Sequence, residues 1–354
     1  MNKDKIANGG EKQRKLHFTW TEFSQEFYSS SEDIIEIEYR KWQQTQTQLE
    51  LISCGLGKNK RYEARNVIER WKLSSHNNLP DSEDKIKLEI SEKQISFKPQ
   101  VVYDKLCKVN NIKYHNSVTK IDCNCIFFKD YVRRINPSRL NILKELGSEE
   151  DVLVCALRYS SMISGSQQWN IPTSVYTTAI VNYGVTFEGF ASPFNSQVIP
   201  YICDKNWGEH KFSFSSLFFD VDKIFGSSGD FFSYNFWLEH QVSYINPPYI
   251  LGIMEKVPYV VKQALDYYFE NKIKGRIFIT VPNWTDVKYS YNFRNSQYFE
   301  KEINFQKGEH YYEDTNDGNI KRIKATFNTI LFVLSVNYEN ENNDYDDIIF
   351  EFTK

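Results

Sequence analysis

Apolar residues recur at helical spacing in the first part of the chain. Ile35, Tyr39 and Trp42 are four and three residues apart, which places them on one face of a helix that continues towards residue 49. Further elements are predicted as helices near residues 61–73, 99–109 and 138–165 and as a short alternating strand near residues 85–90. Residues 1–148 are therefore predicted to form a mostly helical domain.

The pattern changes in residues 149–354, where short apolar runs alternate with helical stripes. A helix is predicted over residues 173–183, where Gly184 ends it, and the apolar stripe from Ile253 to Tyr268 predicts another. The runs that predict strands lie near residues 185–188, 212–220, 244–246, 277–281, 300–306 and 326–338. Because strands alternate with helices, this part is predicted to be an α/β domain with a parallel-rich sheet covered on both faces.

The composition excludes several classes of protein. The 354 residues are 41% hydrophobic, enough for a large core, and the net charge of −3 gives no general basic field, so any nucleic-acid contact needs a local patch. The cysteines form no CxxC pair and the histidines lack metal spacing, so we expect an intracellular protein without a metal site. No apolar run approaches the roughly 18 residues of a membrane span, and no secretion signal is expected. The sequence does not distinguish nucleus from cytoplasm.

One tetrapeptide carries the strongest chemical signal. Asn246, Pro247, Pro248 and Tyr249 follow a short apolar run and precede a predicted helix. The Asn246 side-chain carbonyl and the Pro247 main-chain carbonyl can accept from one exocyclic amino group, and the prolines hold the backbone rigid. Tyr249 offers a ring on which an extruded base can stack. The pattern is typical of enzymes that methylate the N6 amino group of adenine, although Asn-Pro and Pro-Pro pairs also mark ordinary turns.

Two loops that follow predicted strands are candidates for a cofactor site. In an open α/β sheet the ligand lies at the carboxyl ends of the strands, where small residues permit close approach and carboxylates can bind ribose hydroxyls or an amino group. The first loop contributes Glu188, Phe190, Ala191, Ser192, Pro193 and Asn195, and the second contributes Asp222, Phe225, Gly226 and Ser227. Ordinary turns, the second with a helix cap, are the alternative. The first loop precedes the tetrapeptide along the chain, as in adenine methyltransferases whose cofactor motif comes first.

Another predicted strand ends in Pro282, Asn283 and Trp284, which could form a wall of the substrate pocket. The alternative for these residues is a packed turn. His310 lies near the predicted site elements in the sequence, and we expect it to be structural or to line the pocket rather than to be catalytic.

Two groups of basic residues could contact RNA phosphates. The spacing of Lys58, Arg61 and Arg65 places them on one helix face, and the adjacent Arg133 and Arg134 form a second candidate. A solvated surface is the alternative for both groups.

Several of these motifs, in this order, resemble segments of the phosphorylated-CTD-interacting-factor family. The resemblance covers roughly residues 150–336 and is carried by residues 183–195, 222–229, 246–249, 279–284, 309–310 and 324–329. Members of that family are cap-specific adenosine N6-methyltransferases. The resemblance therefore implies a Rossmann-like class I methyltransferase core, S-adenosyl-L-methionine as cofactor and capped mRNA as partner. It also implies substrate contacts at Glu309, His310, Lys324 and Asn328.

The chain departs from the family at several places, one of which is Ile250, Leu251 and Gly252, where animal members have acidic residues. Animal members carry an N-terminal WW domain that binds the polymerase tail, whereas neither glycine nor proline lies between Trp20 and Trp42 to turn a small sheet, so WW-mediated binding is not expected. Tyr249 stands where the family has phenylalanine, which keeps a face for stacking.

The sequence thus predicts an S-adenosylmethionine-dependent mRNA adenosine N6-methyltransferase that acts on the first adenosine beside the cap. Two alternatives remain open: a catalytically silent RNA-binding scaffold with the same fold, and an adenine N6-methyltransferase that acts on DNA or uncapped RNA. The intact tetrapeptide argues against the scaffold. Oligomeric state is not predicted.

Overall fold

The computed structural model describes residues 34–53, 120–122, 125–161, 169–207, 210–284, 287–315, 318–338 and 344–354. The described residues fall into two compact units, one within residues 25–167 and one within residues 168–354. The predicted boundary at residues 148/149 stays a prediction. The elements and basic residues that lie outside the described residues are the predicted helices 61–73 and 99–109, the predicted strand 85–90, and Lys58, Arg61 and Arg65.

The described part of the N-terminal unit combines helices with a small antiparallel sheet. Its elements are α1 (Ile34–Ser53), β1 (Lys120–Asp122), β2 (Cys125–Phe128), β3 (Tyr131–Arg134), α2 (Pro137–Leu146) and α3 (Glu149–Ser160). The helix predicted from the apolar spacing at residues 35–42 is confirmed as α1. The sheet, with strand order β1-β2-β3, is not among the elements that the sequence pattern predicts.

The helical structure predicted near residues 138–165 is present in the described part of this range as two helices, because the chain breaks between α2 and α3. Gly147 ends α2, and Ser148 begins α3 with a capping box in which Asp151 N donates to Ser148 Oγ and Ser148 N donates to Asp151 Oδ2, at 3.2 and 2.9 Å. This reciprocal pair satisfies N–H groups that the helix start leaves free. Arg158 Nε donates to Glu38 Oε2 at 2.7 Å in a fully buried ion pair that joins α3 to α1.

The C-terminal unit carries the large α/β sheet. Its strands are β4 (Trp169–Asn170), β5 (Phe187–Ala191), β6 (Ser213–Ser216), β7 (Ser227–Gly229), β8 (Val242–Ile245), β9 (Gly275–Pro282), β10 (Phe299–Phe305), β11 (Tyr311–Asp314), β12 (Lys321–Lys324) and β13 (Thr329–Val336). Its helices are α4 (Thr173–Tyr183), α5 (Ile199–Cys203), α6 (Phe219–Asp222), α7 (Leu251–Met254), α8 (Val257–Glu270), α9 (Lys288–Arg294) and α10 (Asp346–Thr353).

The strand order of the large sheet identifies the fold. The order is β7-β6-β5-β8-β9-β13-β10, with β5 to β9 parallel and β13 antiparallel to both of its neighbours. Counted along the chain within this sheet, that is 3-2-1-4-5-7-6 with a reversed seventh strand, the arrangement of class I methyltransferases. The predicted Rossmann-like class I methyltransferase core is therefore confirmed. A second sheet, β12-β11-β4, lies in the same unit.

Helices cover both faces of the sheet, as predicted. On one face Ile277 and Ile279 of β9 belong to the same buried cluster as the apolar side of α8. On the other face the Phe278 ring packs 5.5 Å from that of Tyr183 in α4, where a left-handed Gly184 ends the helix as predicted. Helix α10, which begins at Asp346 and buries Ile348 and Phe352, is not among the elements that the sequence pattern predicts.

No helix in the described part of the chain is long and apolar enough to cross a membrane.

Candidate active site

The predicted catalytic tetrapeptide lies at the carboxyl end of β8. β8 pairs with β5 on one side and β9 on the other, and the order of the parallel strands reverses between β5 and β8. This reversal is the point at which open α/β sheets bind ligands. Asn246 N donates to Gly189 O at 3.4 Å, so the tetrapeptide begins directly beside the end of β5.

The two prolines give the tetrapeptide a tight and rigid backbone. Ile250 N donates to Pro248 O at 2.6 Å and closes a turn around Tyr249. The carbonyl of Pro247 receives no hydrogen bond from the part of the chain that the structure describes. Of the two proline carbonyls, that of Pro247 is therefore the one available to the N–H group of a ligand.

The Tyr249 side chain connects the tetrapeptide to the β11 and β13 region. Its hydroxyl oxygen lies 3.3 Å from Asn246 Oδ1 and 2.8 Å from the hydroxyl oxygen of Tyr312. Its ring packs edge-to-face against Phe327, with 5.5 Å between centroids. Burial, together with the neighbouring Tyr312 hydroxyl, raises the pKa of Tyr249 well above its ordinary value, so the hydroxyl keeps its proton at neutral pH.

A buried polar chain continues from Tyr312. The Tyr312 hydroxyl lies 2.9 Å from Thr329 Oγ1, which is 2.7 Å from His310 Nε2, and His310 Nδ1 lies 3.1 Å from Gln306 O. Burial raises the pKa of Tyr312 to about 12 and lowers that of His310, so both groups are neutral near pH 7. His310 is fully buried.

The Glu188 carboxylate is enclosed by protein donors. Oε2 accepts from Ser196 Oγ at 2.8 Å and Gln197 N at 2.7 Å, and Oε1 accepts from Asn170 Nδ2 at 3.3 Å. Only 1% of the residue is exposed, and this burial raises the pKa of its carboxyl. In this conformation Glu188 fastens the loop after β5, and a direct cofactor contact by its carboxylate stays a prediction.

The loop that follows Glu188 is compact. Phe190 has a left-handed backbone with φ of 69°, where the register between β5 and β6 shifts, and such strain in a residue other than glycine is concentrated at functional sites. Ser192 N and Oγ both donate to Asn195 Oδ1, at 2.7 and 2.9 Å, which closes the turn around Pro193. Ala191 to Asn195 are buried, whereas the Phe190 ring is only partly buried against Phe231.

The second predicted cofactor loop follows β6. Asp222 and Phe225 are fully buried, and Asp222 Oδ2 accepts from Phe218 N at 3.3 Å. Gly226 has a left-handed φ of 91°, and Ser227 Oγ lies 2.7 Å from Ser216 Oγ. The Asp222 carboxylate therefore serves the turn in this conformation, and its ribose contact stays a prediction.

The groups near this edge fit an adenosyl ligand. Asp220, one turn after β6, is a partly exposed carboxylate of the kind that binds ribose hydroxyls, and the partly exposed Phe190 ring can pack against a purine. The backbone of the β5 loop and the beginning of Asn246 adjoin each other. The described residues contain no cluster of His, Cys, Asp and Glu side chains suited to a metal ion.

Pro282, Asn283 and Trp284 end β9 beside an open groove. The groove has a volume of about 450 Å³ and is lined by Asn283, Trp284, Val287, Lys288, Ser290, Tyr291 and Arg294. Pro282 is buried, whereas Trp284 is 38% exposed and Tyr291 is 67% exposed. Aromatic faces next to basic side chains can bind nucleotides by stacking and phosphate contact.

The substrate contacts implied by the family resemblance fall into three environments. Asn328 O accepts from Asn283 N at 2.7 Å, so these two predicted residues are brought together. Glu309 and Lys324 are exposed, and His310 is buried. Contacts of these residues with a substrate stay predictions.

Arg133 and Arg134 lie on β3 in the N-terminal unit. Adjacent strand residues point to opposite faces of a sheet, so the two side chains do not form one patch. Arg133 Nη1 donates to Ala156 O at 3.3 Å and is half-buried, whereas Arg134 is exposed. RNA contact stays a prediction for both, with Arg134 the accessible member.

The structure brings three residues to the tetrapeptide to which the sequence pattern assigns no role there. Tyr312, Thr329 and Phe327 contact Tyr249 directly or through one hydroxyl, although they follow it by more than sixty positions. No local spacing indicates such contacts. Asp220 could have been preferred over Asp222, because it comes first after the strand and the sheet edge lies there.

The chain matches one family model, described as "Phosphorylated CTD interacting factor 1 WW domain", over residues 144–315. In this chain the matched residues run from α2 to β11 and include the parallel strands and the tetrapeptide. The resemblance to that family is thereby confirmed. No curated protein matches the sequence.

Among solved structures, the chain is similar to a candidate class I S-adenosylmethionine-dependent methyltransferase from Listeria monocytogenes. The two are 12% identical, with 87% of this chain and 90% of the other covered and a TM-score of 0.33. The fold assignment rests on the strand order rather than on that score. Class I folds ordinarily bind S-adenosylmethionine.

Proposed function

We propose that this protein is an S-adenosylmethionine-dependent adenosine N6-methyltransferase that acts on RNA, because residues 144–315 match the model of the phosphorylated-CTD-interacting-factor family. The fold and the family match support methyltransferase activity. The choice of the first adenosine beside a cap rests on the family resemblance.

One observation carries the proposal. Asn246 and Pro247 lie where the strand order reverses, and Asn246 N donates a hydrogen bond to Gly189 O of β5. A group held by the tetrapeptide is therefore adjacent to the loop at which this fold class binds its cofactor. A packed turn elsewhere on the surface would not have this relation to the switch point.

The tetrapeptide performs its part of the reaction by positioning. The Asn246 amide oxygen and the Pro247 carbonyl oxygen accept the two hydrogens of one N6 amino group, which draws the nitrogen lone pair out of conjugation with the ring. S-adenosylmethionine, when bound, supplies an electrophilic methyl group. The rigid proline backbone keeps both acceptors in place, so little reorganisation is needed as charge develops on the nitrogen.

The groove beside β9 supports an RNA substrate. Trp284 and Tyr291 are exposed aromatic residues, and Lys288 is an exposed cation on the same groove. Such a combination holds single-stranded nucleotides by stacking and by neutralising phosphates. We expect the nucleotides that flank the methylated adenosine to lie here.

The test is transfer of labelled methyl from S-adenosylmethionine to RNAs of identical sequence. One RNA carries a 7-methylguanosine cap before adenosine, and one carries a bare triphosphate. We expect label on the capped RNA alone, recovered after digestion as N6-methylated first adenosine. A capped RNA that begins with guanosine is the matched control and should stay unlabelled.

The other outcomes separate the alternatives. Equal labelling of both adenosine RNAs would replace the cap-specific proposal by a general adenine methyltransferase, and DNA would then be tested as substrate. No label on any nucleic acid, together with no thermal shift on addition of S-adenosylhomocysteine, would favour the silent scaffold.

A further inference from the structure

A chain of hydrogen bonds links the tetrapeptide to a buried histidine that has no role in the reaction described above. It passes from Tyr249 to Tyr312, Thr329 and His310 with successive oxygen or nitrogen separations of 2.8, 2.9 and 2.7 Å. Tyr312 is 2% exposed, and Thr329 and His310 are 0% exposed. Water therefore does not compete with these partners, and each group depends on the next for its hydrogen bond.

Each hydroxyl has one hydrogen to donate, and this fixes which group is the donor in each hydrogen bond of the series. A main-chain carbonyl only accepts, so His310 Nδ1 carries a hydrogen towards Gln306 O. Because the buried ring is neutral, His310 Nε2 is an acceptor and Thr329 donates its only hydroxyl hydrogen to it. Tyr312 must then donate to Thr329, and Tyr249 must donate to Tyr312.

This direction leaves an oxygen lone pair of Tyr249 facing the Asn246 amide, 3.3 Å away. Two acceptor oxygens at that separation repel each other, whereas an amide nitrogen is a suitable donor to the lone pair. A half-turn of the Asn246 amide exchanges its oxygen and nitrogen, which are nearly equal in size. The amide nitrogen then donates to Tyr249, and Oδ1 is turned away from that hydroxyl.

We propose that Tyr312, Thr329 and His310 are positioning residues that orient the Asn246 amide so that its oxygen is free to accept from the amino group to be methylated. The inference rests on the proposed function. A reversed chain would place the Tyr249 hydrogen on Asn246 Oδ1, where it competes with the substrate.

The first test is a pair of variants that remove one hydroxyl each, Thr329→Val and Tyr312→Phe. Either change deprives Tyr249 of its oriented acceptor and lets its hydrogen turn to Asn246. We expect kcat to fall about tenfold, the effect of one competing hydrogen bond, while KM for RNA and the thermal shift with S-adenosylhomocysteine stay unchanged. Thr280→Val is the matched control, since Thr280 Oγ1 lies 2.9 Å from the Tyr244 hydroxyl in an equally buried pair that no hydrogen bond among the described residues connects to Asn246.

The second test is rescue. Tyr249→Phe in the Thr329→Val background removes the misdirected donor, so kcat should rise above that of Thr329→Val alone. If Thr329 only maintained packing, the second change would leave kcat the same or lower it further. Full kcat in both single variants, or absence of rescue, would overturn the inference.

The outcomes for this inference and for the proposed function are distinct. If Thr329→Val and Tyr312→Phe methylate RNA as fast as the unmodified protein and Thr280→Val do, the inference about the hydrogen-bond chain fails and the proposed function stands. If the unmodified protein methylates no nucleic acid, both fail. Melting temperatures of all variants exclude loss of folding as the cause of a lower kcat.

Discussion

The two ends of strands β5, β6 and β8 carry similar polar residue types and use them in opposite ways. At the amino end, His240 Nδ1 lies 3.0 Å from Thr186 Oγ1 and Nε2 lies 2.9 Å from Ser213 Oγ, while His240 O accepts from the Tyr268 hydroxyl. His240 is 1% exposed. Both ring nitrogens of His240 lie within hydrogen-bonding distance of hydroxyl groups of the protein, so this histidine joins neighbouring strands.

At the carboxyl end, the polar groups keep capacity. The Asn246 side chain is partly exposed, and the Pro247 carbonyl accepts from none of the described residues. The buried Glu188 beneath them is fully engaged and holds the loop that adjoins Asn246. Residue type alone therefore does not separate a ligand site from a structural contact: His240 has both ring nitrogens engaged by the protein, whereas the Pro247 carbonyl accepts from none of the described residues.

The largest effect is expected for Asn246→Ala. Removing this acceptor should lower methyl transfer by about 10²–10³-fold, the usual cost of one preorganised polar group in the transition state. The thermal shift with S-adenosylhomocysteine should be retained, because the cofactor loop is unchanged. Asn271→Ala, which removes an exposed amide near the amino end of β9, is the control and should keep full activity. Retained transfer in Asn246→Ala would contradict the proposed mechanism.

The main effect expected of Glu188→Ala is a lower free energy of unfolding, and its effect on activity is expected to be secondary. The change leaves Ser196 Oγ and Gln197 N buried without their acceptor, so the free energy of unfolding should fall by about 2–4 kcal/mol. Urea unfolding measures this loss. Glu270→Ala, at an exposed position on α8, should change it by less than about 0.5 kcal/mol. Equal stability of the two variants would show that the hydrogen bonds to the Glu188 carboxylate do not stabilise the loop after β5.

The smallest effect is expected at the amino end and depends on pH. Burial lowers the pKa of His240 from 6.5 to about 4, so the folded state takes up this proton less readily than the unfolded state. The stabilising difference is therefore complete above pH 6.5 and is lost as the pH falls towards 4, by roughly 1–3 kcal/mol. His240→Gln should remove this part of the pH dependence of unfolding and leave kcat unchanged; a parallel pH profile in both proteins would contradict it.

Most of the order of secondary structure in the C-terminal unit could be predicted from the sequence, because strands such as β8 and β9 are rich in apolar residues. Strand β7 (Ser227–Gly229) was not predicted, because it contains no apolar side chain. The helix ending at Gly184 is confirmed to the residue, since glycine adopts the left-handed backbone that ends a helix. The reversed direction of β13 could not be predicted, because an apolar run such as residues 329–336 reads the same in either orientation.

The residues of the candidate site could be predicted only where they are contiguous in the sequence. The tetrapeptide is contiguous, so its two acceptors and ring can be inferred from four residues. Tyr312 and Thr329 meet Tyr249 only because the sheets bring distant segments together. The break at Gly147 and Ser148 was missed although its signal is local. The capping box that begins at Ser148 starts a new helix even though the apolar spacing continues across it.

The position of β13 has a consequence for synthesis of the protein. β13 follows β10 in the chain but is inserted between β9 and β10, so a ribosome-bound chain that has emerged only as far as β10 leaves both of these strands with an unpaired edge. The same late strand brings Thr329 to the oxygen of Tyr312. A nascent chain therefore completes its seven-stranded sheet and gains the Thr329 contact that supports the tetrapeptide in the same late step. A chain terminated before residue 329 would lack both.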